Sequence, residues 1–478
     1  MAFLLLLWLI PPLWAHPLLN LNVEDQIVYE NLEASGLSSR ISISIRPYSL
    51  LKVFLFTEDR ERVKEHLNAL SPPGFFIKPV NSITLSTFYT SEEEFFIENA
   101  AGTNLIKGLN IYSFLDGYAS FGKRFVLYYR FRYKQARGIK RIDLHRVYAK
   151  LRVWRLSFEV GKDVVRLGPG EYTLLLSSHA EPFPMVKIQT EEPLKFLGKW
   201  DFLFLRGWLR EEREDRNNPN ILALRVVWKP WNFLEIGGTR TAMYGGEGRP
   251  GFKLTEYPKF IIGTEENISW GKYDADGYGA YDVTIYLPLK KLIKMVRVFK
   301  VYYQEAGTDI VAWWQKEDKG EFKPPFGFNF LGIGYVAGVF ASTDKDIFRL
   351  EFNRTSDRWY LHHLYPIEGY TYNGLSLGHP YGRDVVHFFF KHRHYFSDKL
   401  SLMYKVGFIK QPLGGEINMR RYYLTFSGEK RIRFLILSGF IRMDRTNNYD
   451  TDPSPVNFNV VNERKNIFTT GFSVSWRF

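Results

Sequence analysis

The chain has 478 residues, a net charge of +13 and no cysteine, and 17% of its residues are aromatic. The lack of cysteine excludes a disulfide framework, so packing and backbone hydrogen bonds must hold the fold. After the first residues, no stretch approaches the ~20 consecutive apolar residues that a membrane-spanning helix needs. The sequence therefore combines a large apolar surface with no pattern for a membrane helix.

The first fifteen residues, MAFLLLLWLIPPLWA, are typical of a secretory signal peptide. An apolar stretch from residue 3 to residue 10 ends at Pro11 and Pro12, and Ala15 suits the position before a signal peptidase cut. The apolar stretch is too short to cross a bilayer. We therefore expect residues 1–15 to be a signal peptide and the mature chain to be exported.

Helical spacing is expected in residues 16–75. Apolar residues recur with a helical period over residues 23–35, with Asn22 as a possible N-cap. A second helix is predicted to start after Ser49, and a third over residues 57–70. These elements predict a small periplasmic helical bundle that either stands alone or plugs the domain that follows.

Residues 76–478 contain many short stretches in which apolar and polar residues alternate. In the final TTGFSVSWRF, one strand face carries Phe472, Val474, Trp476 and Phe478, and the other carries Ser473, Ser475 and Arg477. Residues 124–134, 331–339 and 399–408 alternate in the same way. Lipid-facing residues alternate with lumen-facing residues in transmembrane barrels, and a bilayer accepts only helices or closed barrels. The pattern therefore predicts a mainly β, transmembrane antiparallel β-barrel.

Short and long connections alternate along this region. Tight turns are predicted near residues 428–430, 397–399, 343–346 and 229–231, and long polar stretches at 444–465, 410–416, 356–384, 306–327 and 242–278. Periplasmic turns and extracellular loops alternate in this way. The count gives about eighteen strands, an even number that returns both ends of the barrel to the periplasmic side.

Four separated stretches resemble the Wzi-like capsule assembly proteins. They are VYENLEASGLSSRISISIRPYSLLKVF, RLGPGEYTLLLSSHAEPFP, LEIGGTRTAMYGGEGRP and RLEFNRTSDRWYLHHLYPIEGYTYNGLSLGHPYGRD, in the order typical of that family. Leu167 departs from the family, because many members have Trp before Gly-Pro-Gly. The resemblance implies an eighteen-stranded outer-membrane barrel plugged by a periplasmic helical bundle. It also implies a surface lectin, without catalytic residues, that holds capsular polysaccharide on the outer leaflet.

The charge bears on the partners of such a protein. Residues 1–15 carry no charged side chain, so the +13 charge persists after cleavage. A basic outer-membrane protein attracts acidic glycans and lipopolysaccharide phosphates, and salt weakens that attraction. For any single Lys or Arg, a place in the lumen or beside lipid headgroups is the alternative. We expect cell-surface polysaccharide, outer-membrane lipid and lipopolysaccharide as partners, the capsule export machinery as a further candidate, and no nucleic acid or cofactor.

Aromatic side chains in the predicted external loops are candidates for stacking on sugar rings. The loop at 356–384 is the richest, and its candidate residues are Trp359, His362, His363, Tyr365, Tyr370, Tyr372 and Arg383. Trp313 and Trp314 lie in the loop at 306–327. For each aromatic residue alone, a place in the girdle at the membrane interface is the alternative.

Two glycine-rich motifs are predicted to be structural. Gly168, Pro169 and Gly170 form a tight turn that lacks the Lys-Ser/Thr of a phosphate-binding loop. In GHPYGRD, Gly378, His379 and Asp384 are expected to fold inward and brace the barrel interior, with direct ligand contact as the alternative. Glycine there serves a positive φ or a close approach of backbones.

Two patterns suggestive of an enzyme are weak. His392 and His394 share a strand face, but His387 lies on the other face, and neither a Cys nor a convincing carboxylate completes a metal set. Ser177 and His179 lack the nucleophile elbow of a hydrolase. We therefore predict a binding protein with no metal and no catalytic residue. The alternative is an anion-preferring porin, which has no need of the N-terminal helices.

Overall fold

Eighteen antiparallel strands form a closed barrel in the computed structural model. The structure describes residues 16, 18–22, 25–36, 40–42, 44–54, 74–262, 271–308, 333–412, 418–450 and 460–478. The strands are β1 (Phe75–Phe96), β2 (Asn104–Phe121), β3 (Phe125–Ala136), β4 (Ile139–Val153), β5 (Leu156–Asp163), β6 (Phe183–Thr190), β7 (Lys199–Trp208), β8 (Asn220–Trp231), β9 (Leu234–Tyr244), β10 (Ala275–Tyr286), β11 (Val298–Gly307), β12 (Ile333–Ser342), β13 (Asp346–Thr355), β14 (Val386–Ser397), β15 (Leu400–Pro412), β16 (Asn418–Ile432), β17 (Leu435–Asp450) and β18 (Val460–Arg477).

The first and last strands close the barrel. β1 pairs with β18 from Ser82 opposite Arg477 to Thr90 opposite Thr469. The start of β1 and the end of β18 therefore lie at the same end of the barrel, as the predicted even strand number requires. We call it the short-turn end, because its connections include residues 122–124, 154–155, 232–233, 343–345, 398–399 and 433–434. The opposite, long-loop end carries the described residues 164–182, 209–219, 245–262, 271–274 and 356–385.

The predicted alternation of faces is confirmed. Phe472 and Trp476 are exposed on the outer wall, whereas the Ser473 hydroxyl donates to Ser86 Oγ at 2.8 Å. An exposed apolar wall suits lipid, and a closed barrel leaves no unpaired strand edge in it. No α-helix among the described residues is long and apolar enough to pass through a bilayer.

Three predicted connections were misplaced. The turn expected at 229–231 lies inside β8, and the chain turns at residues 232–233. The turn expected at 428–430 lies inside β16, where Gly428 pairs with Leu402 and Gly439, and the chain turns at residues 433–434. Most of the polar stretch at 444–465 belongs to β17 and β18. Polar side chains show where a strand leaves lipid, but backbone pairing continues beyond that boundary.

Charged side chains inside the barrel form ion pairs. Arg225 donates to Asp282 at 2.7 and 2.9 Å, and Lys187 lies 2.7 Å from Glu159. All four side chains are buried. Buried charges need partners because desolvating an ion costs several kcal/mol. Some of the Lys and Arg side chains therefore lie in the lumen, the alternative that the sequence left open for each of them.

Helix α1 (Gln26–Ala34) occupies the first predicted helical segment. It begins after Asp25, whose Oδ1 accepts the Val28 N–H at 3.2 Å. Asn22, the predicted N-cap, lies three residues too early. An aspartate directly before the first helical turn satisfies one of the free backbone N–H groups there.

Helix α2 (Leu50–Phe54) begins after Ser49, as predicted. The Ser49 hydroxyl oxygen accepts the Lys52 N–H at 3.1 Å. The third predicted helix, at 57–70, lies outside the described residues. A further short helix, α3 (Tyr257–Ile262), lies in the loop between β9 and β10.

The N-terminal segment, residues 16–54, lies inside the short-turn mouth of the barrel. Glu33 of α1 accepts from Lys300 at 2.6 Å and from Arg349, both from barrel strands. Lys52 of α2 donates to Asp201 of β7 at 2.8 Å. Ion pairs with several strands therefore fix this segment within the lumen.

Candidate functional site

The loop at 164–182 enters the lumen from the long-loop end. Gly168 donates its N–H to Ser44 O at 2.9 Å, and Arg166–Leu167 pairs with Ile45–Arg46 as a two-stranded sheet. The loop therefore meets the N-terminal segment inside the barrel.

Glu171 anchors this loop to the barrel. Its carboxylate accepts from Lys391 and, at 3.0 Å, from Lys405. Burial alone raises the pKa of a carboxyl group, but Lys391, Lys405 and Arg349 together hold the pKa of Glu171 well below its usual range. The loop backbone is also held, because Glu351 accepts the Glu171 N–H at 2.6 Å.

The loop at 356–385 packs on the first loop. Ser177 donates its N–H to Leu377 O at 2.7 Å and its hydroxyl to Gly378 O at 2.6 Å. Arg213, from the loop at 209–219, donates to Gly369 O at 2.8 Å and to Thr371 O at 3.1 Å. We call residues 164–182, 209–219 and 356–385 the loop cap.

The aromatic residues predicted to stack on glycan form the interior of the loop cap. Trp359, Tyr365 and Tyr370 have 0% exposure, and Tyr372 has 5%. The rings of Trp359 and Tyr370 pack against Tyr278, with centroids 5.1 and 5.0 Å away. The loop folds inward and leaves these side chains no face for a sugar ring in this structure. Trp313 and Trp314 lie outside the described residues.

The two glycine motifs lie where backbones approach closely, which supports bracing. Their residues are Gly168, Pro169 and Gly170 in the first loop and Gly378, His379 and Asp384 in the second. A Cβ on Gly170 would lie 2.8 Å from Tyr172 O, and Gly168 has a φ of +134°. His379 is fully buried, and its backbone N–H donates to Tyr360 Oη at 2.6 Å.

The outer surface of the loop cap is polar. His363 and Arg358 are exposed, and the half-buried Arg383 donates to Asp357 O at 3.2 Å. His362 has intermediate exposure. A polymer outside the cell can reach these four residues, of which His362, His363 and Arg383 are sequence-predicted site residues.

His362 and His363 converge on Asp274, a residue that no sequence pattern predicted to belong to the site. His363 Nε2 lies 2.8 Å from Asp274 Oδ2, and His362 Nε2 lies 3.6 Å from Oδ1. Burial lowers the pKa of His362 to about 4, so its ring is neutral at pH 7. Its Nδ1 accepts the Leu364 N–H at 3.2 Å. The 3.6 Å between His362 Nε2 and Asp274 is longer than a hydrogen bond. The ligand atoms of Asp274, His362 and His363 lie within 4.8 Å of one another, close enough to share a metal ion, a set that the sequence did not predict.

His387 is separated from His392 and His394, as predicted, but a carboxylate joins His392 to His394. His392 and His394 both lie 2.8 Å from Asp346 Oδ1 on the neighbouring strand. The sequence gives no sign of this partner, because the register between β13 and β14 is what places Asp346 opposite His394. This cluster lies on the outer wall at the short-turn end, away from the loop cap. His387 lies in the lumen, 2.9 Å from Tyr423 Oη.

A continuous cluster of buried apolar side chains crosses the lumen. It joins the N-terminal segment, the first loop and the second loop through Ala34, Ile45, Leu167, Leu174, Trp359 and Tyr370. A water-filled channel, which barrels of this strand number can hold, requires a lumen without such packing. The described residues therefore favour binding at the external surface over diffusion through the lumen.

Comparisons with known proteins agree with this architecture. A family model described as capsule assembly protein Wzi matches residues 83–453. The structure of Wzi from Escherichia coli, described as an outer-membrane protein involved in group 1 capsule assembly and a carbohydrate-binding β-barrel, is similar with a TM-score of 0.67. It is 14% identical and covers 96% of this chain and 100% of that chain.

Two Pseudomonas aeruginosa proteins share the fold more distantly. OccD3 (OpdP) has a TM-score of 0.50 at 10% identity, covering 85% of this chain and 92% of that chain. OccK2 (OpdF) has a TM-score of 0.50 at 10% identity, covering 83% and 96%. A search of curated protein sequences finds no match. At these identities the structural likenesses show the fold alone.

Proposed function

Because the chain belongs to the Wzi capsule assembly family, we propose that it is an outer-membrane surface lectin. It binds capsular or a related extracellular polysaccharide and helps to attach or assemble it on the cell surface. It acts by binding and not by catalysis. Outer-membrane lipid surrounds its apolar wall, and lipopolysaccharide and the capsule export machinery are further proposed partners.

The packed lumen is the observation that carries this proposal. The loop cap and the N-terminal segment meet through the pairing of Arg166–Leu167 with Ile45–Arg46. A polymer therefore has access to the outer surface of the loop cap and not to a channel. The porin alternative requires that this packing open.

The exposed face of the loop cap offers groups suited to an acidic polysaccharide. Arg358 and Arg383 supply guanidinium groups, which form paired hydrogen bonds with carboxylates. His363 adds a polar ring beside them. Because these groups are near the surface, salt should weaken the binding.

The test is a titration of the full-length barrel in detergent with purified surface polysaccharide from the same cell, at low and high salt. We expect saturable binding that weakens at least about tenfold in Arg358→Ala/Arg383→Ala, because a hydrogen bond to a charged group contributes about 1.5–3 kcal/mol and about 1.4 kcal/mol corresponds to tenfold. Lys345→Ala, at the short-turn end, is the matched control and should bind as the unmodified protein does. Absence of binding by a correctly folded barrel at both salts would overturn the proposal for that glycan.

A further inference from the structure

The outer wall of the barrel is covered at one place near the long-loop end. On β8 and β9 the even-numbered residues face outward, because Arg225 and Glu235 make buried contacts inside the lumen. The outward-facing Leu222 and Tyr244 are nevertheless buried, whereas Val226, lower on β8, is exposed. Something other than lipid therefore covers the upper part of this wall.

The covering element is the loop between β9 and β10, which folds back over the wall. The ring of Phe252 stacks on that of Tyr244, with centroids 4.8 Å apart and planes within 2°. Tyr257, the first residue of α3, places its hydroxyl 3.2 Å from Tyr244 Oη. Two aromatic side chains of the loop thus fix it against β9.

A polar pocket of about 410 Å³ remains between the loop and the wall. The barrel strands contribute Arg206 and Asn220, the loop at 209–219 contributes Asn218, and the loop between β9 and β10 contributes Glu247, Arg249 and Phe252. The outer wall of a barrel in lipid is otherwise apolar. Two arginines in a concave site there need a specific explanation.

Arg206 is held in place but lacks a hydrogen-bond acceptor at one atom. Its guanidinium lies 5.1 Å from the ring centroid of Trp208 and 5.6 Å from that of Tyr257. Its Nε is buried and has no partner among the described residues. This Nε N–H is one donor that an acceptor bound in the pocket can satisfy.

The carboxylate at the pocket is already engaged. Glu247 accepts from Asn217 Nδ2 at 3.0 Å, and its backbone oxygen accepts from Arg216 Nη1 at 2.6 Å. Arg216 thereby adds a third guanidinium at the rim, beside Arg206 and Arg249. Planar guanidinium groups bind phosphate through paired hydrogen bonds.

The height of the pocket matches the lipid headgroups. Tyr244 lies ten residues above Leu234 on β9. At ~3.3 Å per residue and a tilt of about 40°, this separation rises about 25 Å, the height of the apolar band in such barrels. The exposed Trp231 and Phe233 mark the lower boundary of that band. The pocket therefore lies at the outer boundary of the membrane.

We propose that this pocket binds a phosphoryl group of an outer-leaflet glycolipid, with Arg206 and Arg249 as its principal cations. Phosphorylated glycolipid headgroups lie at that depth on the outer side of this membrane. The lining of the pocket includes Arg206 of β7 and the loop that covers the outer wall at the height of the headgroups, which favours a lipid over the polysaccharide. The inference depends on the membrane location and not on polysaccharide binding.

The experiment measures lipid binding to the full-length protein, with no polysaccharide present. The probes are bis-phosphorylated lipid A, the same lipid after removal of its phosphates, and inorganic phosphate. We expect saturable binding of the phosphorylated lipid, and a Kd at least tenfold weaker for the dephosphorylated lipid. Arg206→Gln/Arg249→Gln should weaken binding of the phosphorylated lipid to the same degree.

Arg124→Gln, which removes an exposed arginine at the short-turn end, is the matched control and should change the Kd less than twofold. If the double variant does not fold, Arg206→Lys and Arg249→Gln replace it, and we expect the first to retain more binding than the second. Equal affinity for both lipids, or no loss in the variants, would overturn the proposal. Binding of inorganic phosphate without binding of the lipid would overturn the lipid assignment. Loss of polysaccharide binding in the double variant, with lipid binding unchanged, would assign the pocket to the polymer instead.

Discussion

Gly378 lies where two loops of the cap cross. A Cβ on this residue would lie 2.0 Å from Tyr360 Oη and 2.1 Å from Leu174 O. The Tyr360 hydroxyl donates to that carbonyl oxygen and accepts the His379 N–H. The neighbouring atoms can therefore make room for a methyl group only by breaking hydrogen bonds that hold the cap.

We expect Gly378→Ala to loosen the loop cap, because overpacking of a filled interior typically costs about 1–3 kcal/mol. Protease cleavage within residues 356–385 should become faster, while the barrel keeps its heat-modifiable migration. Gly238→Ala is the control, since a Cβ there meets nothing within 4 Å. Equal cleavage rates for the two variants would show that the close approach at Gly378 is not required.

Two buried histidines make the loop cap sensitive to acid. Burial lowers the pKa of His179 to about 4, and burial together with the charge of His179 lowers that of His379 to about 3. An unfolded histidine has a pKa near 6.5. Below pH 6.5 the folded cap therefore binds fewer protons than the unfolded cap. The contribution of these two histidines to the stability of the cap is fully present above pH 6.5 and is lost as the pH decreases toward 4.

We expect hydrogen exchange in residues 164–182 and 356–385 to be faster at pH 5 than at pH 7.5, after correction for the intrinsic rate. The variant His179→Phe/His379→Phe should show a smaller difference, because phenylalanine cannot take up a proton. His363→Gln, an exposed histidine of the same loop, is the control. An undiminished difference in the double variant would assign the acid sensitivity to other groups.

At the scale of elements, α1 is fixed in the barrel through charge. Glu33 is buried among Lys300, Arg349 and Arg46. Burial alone raises the pKa of a carboxyl group, but these three cations hold the pKa of Glu33 far below its usual range. Removal of the carboxylate leaves buried cations without their partner.

We expect Glu33→Gln to destabilise docking of the N-terminal segment by about 3–5 kcal/mol, the usual cost of breaking a buried ion pair. Hydrogen exchange over residues 26–34 reports this change directly. Glu93→Gln is the control, because Glu93 pairs with Lys107 and Arg137 at the exposed surface, where solvent screens the charges. Unchanged protection of α1 in Glu33→Gln would show that other contacts hold the segment.

The strands were predictable because their signal is local. Lipid selects every second residue, so a stretch such as 124–134 reveals its two faces without reference to its partners. The turns were less accurate, as at Gly428, because pairing continues where the side chains have already become polar. The start of α1 was misplaced by three residues, since Asn22 and Asp25 both have side chains that can cap a helix.

At the scale of the whole molecule, the site was less predictable than the fold. A loop rich in Trp and Tyr has the same sequence whether it presents its rings to a sugar or buries them, and here Trp359 and Tyr370 are buried. Contacts between distant segments, such as His363 with Asp274, depend on how the loops pack. A single sequence contains no local pattern for such packing, so the candidate site required the structure.

The packing that hides those rings also fills part of the lumen, and we predict that it closes the barrel to ions. A barrel of eighteen strands has room for an aqueous channel. In the described residues, however, the loop at 164–182 reaches Ser44 of the N-terminal segment inside the lumen. We therefore expect the intact protein to show no steady, porin-like conductance in a planar bilayer.

Weakening one of the two closing segments should produce openings. In Glu33→Gln the N-terminal segment is less firmly held, but the loop at 164–182 keeps its own anchor at Glu171. We therefore expect brief and infrequent openings in this variant and none beyond background in Glu93→Gln. Steady conductance by the intact protein would contradict closure and restore the porin alternative, because ions would then pass where the structure places packed side chains.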